Sequence, residues 1–454
     1  MIKKIVTFCV IFLIGCGTEG ENTGQNISLS DLGLSADTFA LGDSTGSSME
    51  SDGQSMDGSS VDEVAPEEIE CIPNGVKPLP RAEMLGTYDS KRRRLVYFGG
   101  DNGVPVNCQI ASHAVGLTDL WIYDTYCANF DSVPYLDGPP GRARGMAVYD
   151  PDRDQMVIFG GRYRKEVTGT YTVFNDAWAL DLESLSWTEL QTTGTAPVPR
   201  SNPAGAYNRL TQELLLFGGN SSDNGLVFIP HDDVWALNLE TLAWRQVPTS
   251  SPRPVARLFH AAALDEEGDR LFIFGGGDQY AWQGPFLADI WVLDLTTSQW
   301  TQLHDGSGDA PVGRIWSTIA YDNINNRVLL FGGHDDYIVG NTNDTWAFNL
   351  DSNTWEMLIE PDAMNKPANG FCDFPPDFTT PNGEVPERRQ GHLAALDPIR
   401  GEWIVHGGKT DCGIIDDVWT FDLARDEWIR LFQANQGETC IRGDNPEMCI
   451  ALCK

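Results

Sequence analysis

Leu95-Val96-Tyr97-Phe98-Gly99-Gly100 closes an apolar run on a glycine doublet, and the chain repeats that pattern five more times. The later copies end at Gly161, Gly219, Gly276, Gly333 and Gly408, with His406 standing in for the aromatic in the last. Counted aromatic to aromatic, the steps are 61, 58, 57, 57 and 75 residues. A period of this length denotes one supersecondary unit per copy. None can bury its apolar face alone, so the units must stack.

Each doublet belongs to a larger unit. Seventeen residues before its aromatic stands an arginine: Arg81, Arg142, Arg200, Arg257, Arg314 and Arg389. After it come a variable loop and Asp-x-Trp, beginning at Asp119, Asp176, Asp233, Asp289, Asp344 and Asp417. Nine residues past that Trp is a second aromatic: Phe130, Trp187, Trp244, Trp300, Trp355 and Trp428. Within a copy, four short β-rich runs alternate with turn residues; in the second they are 145–149, 156–159, 177–182 and 186–190. Four antiparallel strands in each of six copies predict an all-β six-bladed β-propeller, the radial answer to exposed sheet edges. The doublet glycines are expected where the second strand ends against a neighbouring blade with no room for a Cβ.

The Arg, the apolar run into Gly-Gly, Asp-x-Trp and the distal Trp together resemble the kelch repeat, over residues 81–431. The resemblance implies a propeller across 78–432. Departures are Phe130 for the distal Trp, His406 before the last doublet, and a Pro-rich insert at 359–387. Some proteins of the kelch family are enzymes: copper oxidases, iron-dependent specifier proteins, sialic acid mutarotases. The oxidase's extra domain has no counterpart here, the specifier's Glu-x-x-x-Asp-x-x-x-His spacing is absent, and the mutarotase's residues find no position-by-position match.

The flanks read differently. Residues 1–16 are a basic start and a short apolar run ending Leu13-Ile14-Gly15-Cys16, similar to a bacterial lipoprotein signal with its lipobox. By that resemblance Cys16 carries the lipid and is the only tie to a membrane. Gly17, rather than Asp, favours the outer membrane or cell surface in a Gram-negative host. Residues 17–72 read as a disordered tether, with thirteen Asp or Glu and no Lys or Arg through residue 70. Residues 433–454 form a Cys-containing tail. The chain's net charge is −34. A domain this acidic repels phosphate backbones, so nucleic acid is a poor partner, and a monomer is expected.

Loop lengths choose the binding face. From doublet to Asp-x-Trp the loops run 18, 14, 13, 12, 10 and 8 residues, and they emerge at the same propeller end as the links between blades. The other end has tight turns only. The motif Arg and Asp recur in all six copies, so internal Arg–Asp locking is a simpler account than an Arg ring for an anion. Positions that differ between copies are better ligand candidates. Just past the motif Arg lie Glu83, Arg144, Asn202, Phe259, Trp316 and Gln390, a set expected to line the channel mouth. Trp282, His334, Tyr163, Tyr171, Tyr280, Phe286 and Tyr337 in the long loops add aromatic and polar groups for a protein or carbohydrate ligand.

Gly-x-Ser-x-Gly occurs once, as Gly42-Asp-Ser-Thr-Gly46 inside the acidic tether and outside any strand–turn–helix pattern, and there is no phosphate loop or His-Glu-x-x-His, so no catalytic residue, metal or cofactor is assigned. The expected role is a binding protein, with a sugar-active surface enzyme or an envelope spacer as rivals. Beyond Cys9 and Cys16, eight cysteines remain: Cys71, Cys108, Cys127, Cys372, Cys412, Cys440, Cys449 and Cys453. In an exported protein that even number reads as four disulfides, with a zinc site as the rival reading. On the propeller layout Cys108 and Cys127 flank one strand, Cys372 and Cys412 share a face, and Cys71 is expected to bond into the tail.

Overall fold

The computed structural model describes residues 71–434 except 103–116, 135–136, 165–168, 226, 266, 268, 282–283, 336–339, 366–378, 381 and 411–412. The signal with Cys16, the segment up to residue 70, and the tail from 435 lie outside the described residues. So do Trp282 and Cys108, Cys372, Cys412, Cys440, Cys449 and Cys453.

Six antiparallel sheets appear, each built from consecutive stretches of chain. Blade 1 is Leu85–Asp89, Arg94–Phe98, Leu120–Asp124 and Asn129–Val133; blade 6 is Leu393–Asp397, Glu402–His406, Val418–Asp422 and Glu427–Phe432. The first strands of the six blades neighbour one another around the ring and so line the axis. Every second strand is buried almost throughout, as its unbroken apolar run requires of a strand covered on both faces. The sequence expectation of a six-bladed propeller is met. Among the described residues, blade 3 alone carries a fifth strand, Thr193–Gly194, parallel to Ala243–Val247.

The repeat residues build the joints. In every blade the motif Arg gives a two-pronged bond to the Asp of Asp-x-Trp, Nη1 to Oδ1 at 2.5–2.8 Å and Nη2 to Oδ2 at 2.7–3.1 Å. Nη1 also donates to the carbonyl of the first doublet glycine, and the Trp indole N–H donates to Asp Oδ2. All six arginines are at most 1% exposed. With the charge met by a carboxylate and the remaining N–H groups by carbonyls, a buried guanidinium is tolerable. The geometry is that of internal locks.

The second doublet glycine links one blade to the next. Its N–H donates to the carbonyl of the following blade's motif Arg at 2.9–3.0 Å, from Gly100 to Arg142 through to Gly408 and Arg81, which closes the ring. A Cβ on the first glycine would sit within 3.0 Å of that same carbonyl in all six copies, and both glycines take positive φ. That is why the doublet tolerates no other residue. Beside it, the doublet aromatic of each blade meets the distal Trp of the next, with ring centroids 4.7–5.4 Å apart. At the seam between blades 6 and 1 the pair is His406 and Phe130, at 5.5 Å, so the two departures from the repeat face each other.

One cysteine expectation is corrected. Cys71 bonds Cys127, in the turn between strands 3 and 4 of blade 1, and not the C-terminal tail; Cys127 is therefore unavailable to Cys108. The segment leading to Arg81 lies along blade 1's outer strand, with Asn129 Nδ2 donating to the Ile72 carbonyl and Asn74 Nδ2 to the Phe130 carbonyl. That path brings Cys71 to the strand 3–4 turn. Lys77 reaches across the seam to sit over the Phe432 ring of blade 6, 5.3 Å from its centroid.

Candidate functional site

Two residues past each motif Arg the chain bends into the first strand through a left-handed residue. Glu83, Arg144, Asn202, Phe259, Trp316 and Gly391 have φ between 53° and 62°. This region is strained for bulky side chains, and Phe and Trp are uncommon there. Backbone bonds connect the bends around the axis: Arg144 N–H donates to Glu83 O, Asn202 to Arg144, Trp316 to Phe259, Gly391 to Trp316 and Glu83 to Gly391. The six bends surround an axial cavity of roughly 170 Å³, also lined by Met84, Pro203, His260, Ser317, Thr318 and His392.

The cavity mouth is chemically two-sided. On the side of blades 1, 2 and 6, the Arg144 Nε and Nη2 donate to the two carboxylate oxygens of Glu83, the latter at 2.9 Å. Lys409 Nζ donates to Glu83 Oε1 at 2.9 Å and lies 3.7 Å from Asp101. Burial alone would push the Glu83 carboxyl up, but Arg144 and Lys409 outweigh it and hold the group ionised, well below the usual carboxylate range. Burial likewise opposes the charge on Arg144 and Lys409, and their carboxylate neighbours raise both above their ordinary values. Arg162, stacked 3.9 Å from the Tyr171 centroid, is depressed to about 10 by burial and the nearby Arg144.

On the other side, Phe259 and Trp316 pack with centroids 4.2 Å apart. Phe228 from the blade 3 loop and Phe286 and Ala281 from the blade 4 loop extend this wall. The Arg144 guanidinium spans the mouth, 5.5 Å from the Phe259 ring and 5.4 Å from the Trp316 ring. Several polar atoms on cavity-lining residues are buried without a hydrogen-bond partner: Asn202 Oδ1, Trp316 Nε1, Ser317 Oγ, both ring nitrogens of His260 and Nδ1 of His392.

Among the sequence candidates, Arg144, Asn202, Phe259 and Trp316 meet at this cavity. Gln390 does not; the sixth place in the ring belongs to Gly391, and Gln390 pairs with Lys409 in a small three-stranded sheet. His334 is 1% exposed and bonded through Nδ1 to Asn341 Oδ1 at 2.9 Å, inside a loop hairpin away from the cavity lining. Lys409 and Asp101, which set the charge at the mouth, were not singled out in the sequence because nothing in the repeat marks them. Among the described residues no group of three or more His, Cys, Asp or Glu is placed to hold a metal.

Six blades with Arg–Asp locks, glycine-doublet joints and an axial cavity define a kelch-type propeller. The family model described as the KLHDC2/KLHL20/DRC7 Kelch-repeats domain matches residues 61–210 and 205–372. The chain therefore belongs to the Kelch-repeat family. It is 26% identical to "Kelch domain-containing protein 10" of Rattus norvegicus over 316 residues, covering 66% of this chain and 67% of the relative. Against the Homo sapiens protein of that name the identity is 25% over 308 residues, covering 64% and 61%. "Acyl-CoA-binding domain-containing protein 5" of Arabidopsis thaliana is 26% identical over 256 residues, 55% of this chain, and the match spans only 37% of that protein.

Proposed function

We propose that this chain is a binding protein that receives a segment of a partner protein on its long-loop face, centred on the axial cavity. The observation that carries the reading is the convergence of five varied side chains and one glycine, one position per blade, on one cavity held by a repeated frame. A rigid scaffold presenting varied residues is how loops acquire specificity. A protein partner is favoured over a sugar because the Phe259 and Trp316 faces are already covered by each other and by Arg144. We place the propeller on an exported lipoprotein attached through Cys16, a reading supported by the Cys71–Cys127 disulfide, since such bonds persist in oxidising compartments.

The test is a photo-crosslinking residue at Tyr280, half exposed in the blade 4 loop, in the full chain expressed in its host. The control site is Ile399, 72% exposed in a tight turn at the opposite end. A discrete protein adduct from Tyr280 alone is expected. Glycan-array binding without any protein adduct would instead favour the carbohydrate reading, and no specific adduct would favour a spacer. For the anchor, Cys16→Ser is expected to move the protein from the membrane fraction to the soluble fraction.

A further inference from the structure

Arg162 and Arg164 stand apart from the other cations of the long-loop face. In every blade the motif Arg is locked to an Asp, and Arg144 is bound to Glu83 through both carboxylate oxygens. Arg162 is 8% exposed, yet no carboxylate among the described residues is in ion-pair contact with it or with Arg164. Arg162 Nη1 and Arg164 Nε are buried without a hydrogen-bond partner. A chain with 65 acidic and 31 basic residues has carboxylates to spare, so these bare guanidiniums do not reflect a shortage of partners. An unpaired buried charge is costly, and buried donors are nearly always satisfied. Burial and the nearby Arg144 push Arg162 down to about 10, as expected of a cation its surroundings do not compensate. Around the mouth, Arg144, Arg162 and Lys409 face only Glu83 and Asp101, and Arg164 adds to the positive excess.

The two guanidiniums share one side of a hairpin in the blade 2 loop. Strand Arg162–Tyr163 pairs with Thr172–Val173, with Arg162 opposite Val173. Side chains two apart along an extended segment point the same way, as do diagonal neighbours across a strand pair, so Arg162, Arg164 and Tyr171 lie together. Their contacts agree: the two guanidinium carbons lie 3.9 and 4.5 Å from the centroid of the Tyr171 ring. Tyr171 is itself pinned, its N–H donating to the Asp223 carbonyl of the blade 3 loop at 2.8 Å. We propose that this pair of arginines, beside the axial cavity, binds a phosphate group. A phosphate monoester carries roughly −1.5 to −2 charge at pH 7 and three acceptor oxygens, enough to meet both bare guanidiniums at once. A carboxylate carries one charge on two oxygens and would leave the second arginine uncompensated. The planar fork of each arginine matches phosphate oxygens. The rest of the molecule is acidic, with a chain net charge of −34, so the site suits one terminal phosphate rather than a polyanion's backbone. The inference rests on the reading that this face is the binding face, and it adds the chemical group that the face takes.

The probes are phosphoserine with blocked termini and inorganic phosphate, titrated calorimetrically into the full-length protein, with acetate as the comparison at equal ionic strength. Saturable binding of phosphate and none of acetate is expected. Arg162→Gln and Arg164→Gln should each weaken phosphate binding about tenfold or more, while Arg209→Gln, in a tight turn at the opposite end, leaves it unchanged. Arg162→Gln should also hold the thermal midpoint at or above that of the parent, because it removes a buried charge without a counter-ion; an arginine with only a structural role would lower it. Arg164 is only half-buried, so its variant tests the site even if Arg162→Gln fails to fold. Tighter binding of blocked phosphoserine than of inorganic phosphate assigns the group to a partner chain, and the reverse assigns it to the free ion; either upholds the site. The proposal is overturned by acetate binding as tightly as phosphate, by no saturable response to either phosphate, or by unchanged affinity in both arginine variants. Each can occur while the Tyr280 crosslink persists, so failure of the phosphate assignment is separable from failure of the partner-binding reading.

Discussion

Asp344 shows what a single repeat residue carries. Its carboxylate accepts two bonds from Arg314, one from the Trp346 indole and one from Thr342 Oγ1. Burial works against its charge, but Arg314 and these donors hold its pKa below the ordinary value. Asp344→Asn leaves Arg314 buried without a counter-charge and is expected to cost about 3 kcal/mol, read from the urea midpoint. His406 makes a different prediction. Burial pushes it from 6.5 down to about 4, among Tyr97, Phe130, the Asp417 carbonyl and the nearby Arg81 and Arg389. Between those values the unfolded chain binds a proton that the folded chain refuses. Stability therefore falls as pH drops from about 6.5 to 4, and His260 and His392, held to about 3 by burial, add to the trend. His406→Phe, which restores the repeat aromatic, should flatten that decline in acid unfolding curves.

The recurring joint is the unit of interest at the level of elements. Gly99 has φ 67°, and a Cβ there would lie 2.3 Å from the Arg142 carbonyl of the next blade. Gly99→Ala is expected to lower the thermal midpoint by several degrees, a loss of at least ~2 kcal/mol, because backbone strain and an interblade clash coincide. This much was legible in the sequence: six doublets, six Arg, six Asp-x-Trp, each doing the same task. The mouth was less legible for a physical reason. Glu83, Arg144 and Lys409 come from blades 1, 2 and 6, and Glu83 and Lys409 lie 326 residues apart, so no spacing rule connects them. Phe259 and Trp316 are legible as residues of the channel mouth, but their packing on each other is not, because it follows from the bend that aims both at the axis. Gln390 fell out because the bend requires the residue after it, Gly391, to take the left-handed place.

In the whole molecule, the blades hold one another through five aromatic–Trp contacts and a sixth, lighter one at the seam. There the leading segment, held to blade 1 by the Cys71–Cys127 bond, adds a contact across the seam through Lys77 over Phe432. The disulfide closes a separation of 56 residues, and chain-entropy arguments give such a link about 4 kcal/mol. Cys127→Ser is expected to lower the thermal midpoint by several degrees, with the parent dropping to match when treated with a reductant. Equal melting of parent and variant without reductant would show that the seam does not depend on the bond.

Lys77, just ahead of the first motif Arg, lies over the ring of Phe432, at the end of the last strand, so the two ends of the propeller lie side by side. Among the described residues, each blade is also made from its own contiguous stretch of chain, with no strand lent to a neighbour. Topologically the propeller is a closed loop of six interchangeable sectors that biosynthesis happens to open at one place. Joining those extremities by a short peptide and cutting instead at the exposed link around residues 248–253 would give a circular permutant with every blade intact, its new opening placed between blades 3 and 4, beside the aromatic wall.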